Sequence, residues 1–281
     1  MGKVLHELKV TTFNGLVNSR FLPPHFVAAV LNLISSVSGR KIRVTPNKDG
    51  GFTCRQGDIV LTVPRRARLS SAFPDIQSTL AKYVETYNIH KIGLEEGDIV
   101  LDCGAHIGMV SVACQQEGAT VYAFEPDPVE AAALRKNIGM ESQVFEVALW
   151  HTSGHLDLQL DNDAGNSSLI HAEDSPKTIT VETLTLDDWC GKHLPPTQRI
   201  KLLKLEAEGA EPEILTGASG VLDRIDYISA DVGFERGPSQ DSTLAPVVQY
   251  LHERGFTILE PSRKALSGSR LTVLFKNKAL T

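Results

Sequence analysis

The chain has 281 residues, 42% of them hydrophobic and 22% charged, which excludes a disordered or collagen-like chain and leaves room for one large domain or a domain plus a small partner. Lys and Arg number 28 against 34 Asp and Glu, a net charge of −6 that weighs against a nucleic-acid binder. The four cysteines (Cys54, Cys103, Cys114 and Cys190) form no CxxC pair, so neither a disulfide framework nor a zinc knuckle is expected.

Residues 1–10 carry charges and no apolar signal core. Residues 24–37 read as an apolar helix opened by Pro23 and Pro24. Its uncharged stretch, 26–37, is too short for a bilayer, which needs about 20 residues. A cytoplasmic protein without membrane contact is the expectation. Residues 41–45 and 51–63 read as strands, with turns at 47–51 and 56–58. Residues 76–87 repeat apolar side chains at helical spacing. These elements make an expected N-terminal α+β region, residues 1–88, acting as substrate lid or oligomer contact. Residues 1–70 hold 11 Lys and Arg against 3 Asp and Glu, whereas 71–281 hold 17 against 31. Docking of a basic subdomain on an acidic catalytic one explains this, as does attraction of an anionic substrate.

From residue 89 to 281 strands alternate with helices. Strands are expected at 98–103, 120–124, 143–147, 200–205, 227–230, 256–259 and 271–275. Helices are expected at 107–116, 127–138 and 243–254, with Asp127 as cap and Pro128 as first turn of the second. The alternation implies an α/β fold with a mostly parallel central sheet covered by helices on both faces. Residues 151–199 form an insertion with alternating apolar positions and a polar loop at 161–168. It falls near the carboxyl ends of the strands, where open sheets hold ligands.

The segment Asp102-Cys-Gly-Ala-His-Ile-Gly108 carries the most chemistry. A strand ends on an acid, the chain turns on Gly104, and a helix begins near Gly108. The dinucleotide pattern G-x-G-x-x-G does not fit, since its first glycine falls on Asp102 and its third on Ile107. No phosphate-loop pattern occurs. An acid in that position suits S-adenosylmethionine, which bears an ammonium and a sulfonium and no phosphate. Glu125, in Phe124-Glu-Pro126, stands at the next strand end and can accept both hydroxyls of a ribose.

With these residues the sequence resembles the FkbM family of class I methyltransferases. The resemblance covers about residues 55–218 and rests on separated segments. They are Val100 to Gly108, Val121 to Asp127, Leu134-Arg-Lys-Asn137, Val147-Ala148, Asn166-Ser-Ser168, Thr185-Leu-Asp-Asp188 and Leu203-Lys-Leu-Glu-Ala-Glu-Gly-Ala-Glu-Pro-Glu-Ile-Leu-Thr-Gly217. In the last segment Glu206 replaces the family's usual Asp, shifting the carboxylate by about 1.5 Å. His106 stands where the family often has Asn. The resemblance implies a Rossmann-like fold and S-adenosylmethionine as methyl donor, often with a hydroxyl acceptor. It also implies a cofactor pocket of Asp102, Gly104, Ala105, His106, Gly108, Glu125, Pro126 and Asp127, with Ala148 beside the adenine and Asn166 and Ser167 closing over the cofactor or the acceptor from the insertion.

A hydroxyl acceptor needs a base or a metal. Glu206, Glu208, Asp231 and His171 are the expected catalytic groups, and no metal is assigned, a divalent cation being the lesser alternative. Glu211 reads instead as the start of a helix with Pro212. The expected function is O-methylation of a small metabolite, sugar or natural product, with a homodimer left open. Rival readings are a carboxylate or nitrogen acceptor, a nicotinamide oxidoreductase, and a binding module without chemistry.

Overall fold

The structure, a computed structural model, describes residues 21–139, 143–160, 168–170, 177–261 and 270–280, with Phe13, Gly15 and Ser19 before them. They fall into two compact units, one ending at Thr79 and the other beginning at Leu80.

The first unit is a helix on a three-stranded antiparallel sheet. Helix α1 (Pro24–Val37) starts on its proline, whose missing N–H costs nothing at a first turn. It buries Val27, Ala28 and Leu31. Strands β1 (Ile42–Pro46), β2 (Phe52–Gln56) and β3 (Ile59–Val63) pair in sequence order. Their inward positions are Ile42, Val44, Phe52, Cys54, Leu61 and Val63, the period-two pattern of a one-sided sheet. Asn32 fastens α1 to β1, its amide bridging both the N–H and the carbonyl of Val44 at 2.7 and 2.8 Å. Helix α2 (Ile76–Thr86) carries the boundary between the units.

The second unit holds the large sheet, built from β4 (Ile99–Cys103), β5 (Thr120–Phe124), β6 (Gln143–Phe145), β10 (Ile200–Leu205), β11 (Ile225–Arg236), β13 (Phe256–Pro261) and β14 (Arg270–Asn277). Their order is β13-β14-β11-β10-β4-β5-β6, with the short β12 (Asp241–Ser242) on β11. The run from β11 to β6 is parallel, and β14 and β13 close the other edge antiparallel. This is the expected α/β architecture. Helices α3 (Met109–Gln116), α4 (Pro128–Ile138), α6 (Glu211–Thr216) and α7 (Leu244–Glu253) connect the strands. After β4 the chain moves outward to β5 and β6, then returns to β10 on β4's other side. The order therefore reverses between β4 and β10, the place where open sheets leave a crevice.

The alternating apolar positions of the insertion lie on strands. It folds as a small sheet of β7 (Ala148–Leu149), β9 (Thr178–Leu184) and β8 (Gly154–Gln159), followed by helix α5 (Leu186–His193). The residues expected as the end of one strand, 146–147, instead lead from the large sheet into this small one. Thr185 caps α5, accepting the Asp188 N–H at 3.0 Å. Trp189 of α5 is fully buried and meets Tyr122, Phe124 and Phe145 edge to face at about 5 Å. Burying such a ring contributes roughly 3 kcal/mol, so the insertion is part of the core. His193, at the end of the same helix, stacks on Trp189. Among the described residues no helix is long and apolar enough to cross a membrane.

Candidate functional site

The strand ends set the site. Register places Cys103 beside both Phe124 and Leu205, so β4, β5 and β10 finish level. The residues that follow each strand, Gly104, Glu125 and Glu206, consequently gather at one end of the sheet.

The turn after β4 is stapled to β5. The N–H groups of Gly104 and Ala105 both donate to the Phe124 carbonyl, at 3.0 and 3.1 Å. Gly104 has φ +69, and a Cβ there would lie 1.8 Å from the Glu206 carbonyl oxygen. The missing Cβ lets this turn lie against the neighbouring strand end. Gly108, at φ +89, opens α3. Asp127 caps α4 as expected, accepting from Val129 and Glu130.

Glu125 is buried. Its two oxygens accept the N–H groups of His106 at 2.8 Å and Asp127 at 2.9 Å. Burial pushes its carboxyl up to about 7, against the pull of those two donors. Pro126 beside it is half-buried.

Asp102 is also fully buried, and it faces inward. One oxygen accepts the Ser111 hydroxyl at 2.6 Å, and the other lies 3.1 Å from the Lys204 ammonium. The grip expected of Asp102 on a ligand is therefore replaced by a grip on Lys204. That lysine, fully buried on β10, donates to the carbonyls of Cys103 and Gly104 at 3.0 and 2.6 Å and lies 3.1 Å from Glu206. Burial disfavours its charge, but Asp102 and Glu206 outweigh that and raise its pKa.

Glu206 accepts the Tyr87 hydroxyl at 2.5 Å. Burial raises its carboxyl, but Lys204, then His106 and Tyr87, overcome this and hold it at about 2. Tyr87 follows α2, and its own carbonyl accepts the Ser229 hydroxyl at 2.7 Å. Its ring lies under the Lys204 ammonium, 5.4 Å from centroid to nitrogen. No local sequence signal marks Tyr87, which stands 119 residues before its partner.

Strand β10 stops at Leu205, and Glu208, an expected catalytic group, sits in a turn at φ +50. The turn brings it back. A ring nitrogen of His106 and carboxylate oxygens of Glu206 and Glu208 lie within 4.8 Å of one another, a trio that also offers ligand atoms to a cation. His106, likewise at φ +50, has its Nδ1 3.8 Å from Glu125. Ser168, from the insertion, donates to the Glu208 carbonyl at 3.0 Å.

Glu211 plays the expected structural part. It begins α6, is buried, and accepts the N–H groups of Ala207 and Gly209 at 2.8 and 3.3 Å. Burial lifts its carboxyl to about 7. Asp231, an expected catalytic group, lies within β11, opposite Thr272 and one residue beyond the Leu205–Ala230 pair. It adds to the negative field felt by Tyr87 and Glu211. Strand β11 runs well past the expected residue 230, to Arg236, which clamps Glu213 and the Gly209 carbonyl at 2.7 and 2.9 Å. Ala148 is buried in β7, within the small sheet's apolar cluster of Leu158, Leu160 and Val181. His171, Asn166 and Ser167 lie outside the described residues.

The structure thus brings together His106, Glu125, Glu206 and Glu208, with Asp102, Lys204 and Tyr87 bracing them. The pattern of the methyltransferase FkbM domain matches residues 102–258, more than half of the chain. The chain is 30% identical over 156 residues to the 2-O-methyltransferase NoeI of Sinorhizobium fredii (strain NBRC 101917 / NGR234), covering 48% of this chain and 63% of that protein. It is 28% identical over 219 residues to the 31-O-demethyl-FK506 methyltransferase FkbM of Streptomyces tacrolimicus, covering 66% and 82%. It is 25% identical over 141 residues to the hexuronic acid methyltransferase AglP of Haloferax volcanii, covering 49% and 57%. The chain therefore belongs to the FkbM methyltransferase family.

Proposed function

We propose that this methyltransferase uses S-adenosylmethionine to methylate a hydroxyl of a small metabolite, sugar or natural product. One observation carries the reading: Glu125, His106, Glu206 and Glu208 converge where β4, β5 and β10 end. The relatives' names support the acceptor class, since two denote O-methylation and one a hexuronic acid.

The donor's chemistry fits these residues. It carries an ammonium and a sulfonium against a single carboxylate, and three carboxylates gather beside His106 at the strand ends. When bound, it supplies a methyl group activated by the sulfonium. Glu125 would hold the ribose hydroxyls, since each oxygen has accepted one N–H and keeps a further lone pair. Glu206 and Glu208 would face the cationic end and the acceptor. Buried Lys204 fixes Glu206, and alignment is the main service an enzyme renders to an in-line displacement.

Calorimetry with S-adenosylhomocysteine tests the reading. Glu125→Ala should weaken binding at least tenfold, and absence of binding by the wild type would count decisively against it. Incubation of a metabolite extract with deuterated-methyl cofactor, followed by mass spectrometry, should identify the product. Glu208→Gln should lower turnover far more than cofactor affinity.

A further inference from the structure

The turn after β10 carries Glu208, and three elements hold it. The N–H groups of Ala207 and Gly209 both donate to Glu211 at the start of α6, at 2.8 and 3.3 Å. The Glu208 carbonyl accepts the Ser168 hydroxyl of the insertion at 3.0 Å. The Gly209 carbonyl accepts from Arg236 Nη1 at 2.9 Å, and the same nitrogen donates to Glu213 at 2.7 Å. The second nitrogen of the fork, Nη2, meets the other Glu213 oxygen. One planar guanidinium thus joins the turn to the helix that follows it. Arg236 comes from a distant part of the chain. Strand β11 pairs with β10 as far as Ala230 opposite Leu205, where β10 ends, and then runs on to Arg236 with β12 beside it. Its outer part extends past the end of the sheet at which Glu206 and Glu208 stand.

Two features separate positioning from plain support. The side chains of Arg236 and Glu213 are 34% and 19% exposed, and an ion pair that meets water adds little to overall stability. Glu208, by contrast, holds an unfavourable φ of +50, and with it a carboxylate oxygen within 4.8 Å of one from Glu206 and of a His106 ring nitrogen. Relaxation of the turn would move that carboxylate. In an aligned displacement, a misplacement of about 1 Å costs up to about 100-fold in rate.

We propose that Arg236 is a positioning residue for Glu208: reaching back from the end of β11, its fork ties the Gly209 carbonyl to Glu213 and so keeps the Glu208 carboxylate beside Glu206 and His106. The role in turnover rests on the methyltransferase reading above, in which Glu208 faces the acceptor. Arg236 touches neither donor nor acceptor and acts through the turn alone. Ser168 adds a lesser hold from the insertion, with one hydroxyl shared between the carbonyls of Glu208 and Ile170.

The experiment combines three readouts. Hydrogen-exchange mass spectrometry of the peptide spanning residues 205–213 reads the clamp and needs neither acceptor nor cofactor. S-adenosylhomocysteine calorimetry reads the donor site. Mass-shifted product from metabolite extract and deuterated-methyl cofactor reads turnover. Arg236→Met should melt within about 4 °C of the wild type. Its 205–213 peptide should exchange about tenfold faster. It should bind S-adenosylhomocysteine within about threefold and turn over about 30-fold more slowly. Arg236→Lys keeps a charge opposite Glu213 but loses the fork, so it should match the wild-type melting temperature without recovering the rate. Arg236→Met combined with Glu208→Gln should be no slower than Glu208→Gln alone, because the arginine acts only through that carboxylate. Unchanged exchange or wild-type turnover in Arg236→Met overturns the proposal. So does full turnover in Arg236→Lys, a loss of donor affinity as large as the loss of rate, or losses that multiply in the double variant. If Arg236→Met fails to fold, Arg236→Lys carries the same test, with slower turnover and faster exchange at an unchanged melting temperature as the expected result. Failure of the wild type to bind S-adenosylhomocysteine or to form product sinks the methyltransferase reading instead, and the exchange comparison still decides whether Arg236 holds the turn.

Discussion

Two buried side chains show how the same end of the sheet is both held and stressed. Lys204 stands between Asp102 and Glu206 with its charge fully enclosed. Replacing it by Met leaves two carboxylates facing each other without a counterion. Lys204→Met should destabilise the fold by about 3 to 5 kcal/mol, read by denaturant unfolding at pH 7. Glu211 works in the opposite sense. Its carboxyl is lifted from 4.5 to about 7 by burial. A raised carboxyl favours folding below its unfolded pKa, and that advantage disappears as pH rises from about 4.5 to about 7. Gln keeps an acceptor for the Ala207 and Gly209 donors without the charge. Glu211→Gln should therefore melt above the wild type at pH 8, by about 1 to 2 kcal/mol, and match it near pH 4. A variant that lost stability equally at both pH values would show that the two hydrogen bonds dominate over the charge.

At the scale of elements, turns rather than strands decide the site. The turns after β4 and β10 touch through Gly104 and the Glu206 carbonyl, which leaves no space for a Cβ. Gly104→Ala should cost more than 3 kcal/mol, because backbone would have to move in addition to accepting a positive φ. Gly57, in the turn between β2 and β3, has φ +58 and nothing near its missing Cβ. Gly57→Ala should cost only about 1 kcal/mol, and the pair of melting curves separates crowding from conformation. Strand and helix positions were largely readable, since β5 and β10 fall on the expected residues 120–124 and 200–205. The reach of β11 to Arg236 was not, because its outer half is a ribbon held by pairing with β12 and β14, contacts that local pattern does not carry. Helix α5 carries a local signal of its own: Thr185 with Asp188 three residues on is a cap.

For the molecule as a whole, the absence of a disulfide pattern has a measurable consequence. All four cysteines are free and buried, and burial lifts the thiols of Cys54 and Cys190 to about 12 and about 11. A thiol reagent at pH 8 should consume almost none in the native protein and four equivalents in guanidinium. Fast reaction of one thiol in the folded protein would mark a local opening, for which Cys54 in the N-terminal unit and the other three in the larger unit give separate reporters.

The alternating elements, the failed dinucleotide spacing, and the acids at residues 102, 125, 206 and 208 were all legible in the chain. They sufficed for the fold class and for the family resemblance, because periodicity and turn residues act over a few positions. Which acid faces the crevice was decided only by tertiary packing. Asp102 stands one residue before the end of β4 and Glu206 one residue after the end of β10, yet the first is turned to Ser111 and Lys204 inside the sheet and the second meets Tyr87 from 119 residues away. A side chain's partner depends on what neighbouring strands bring alongside it, and strand order is a property of the folded chain alone.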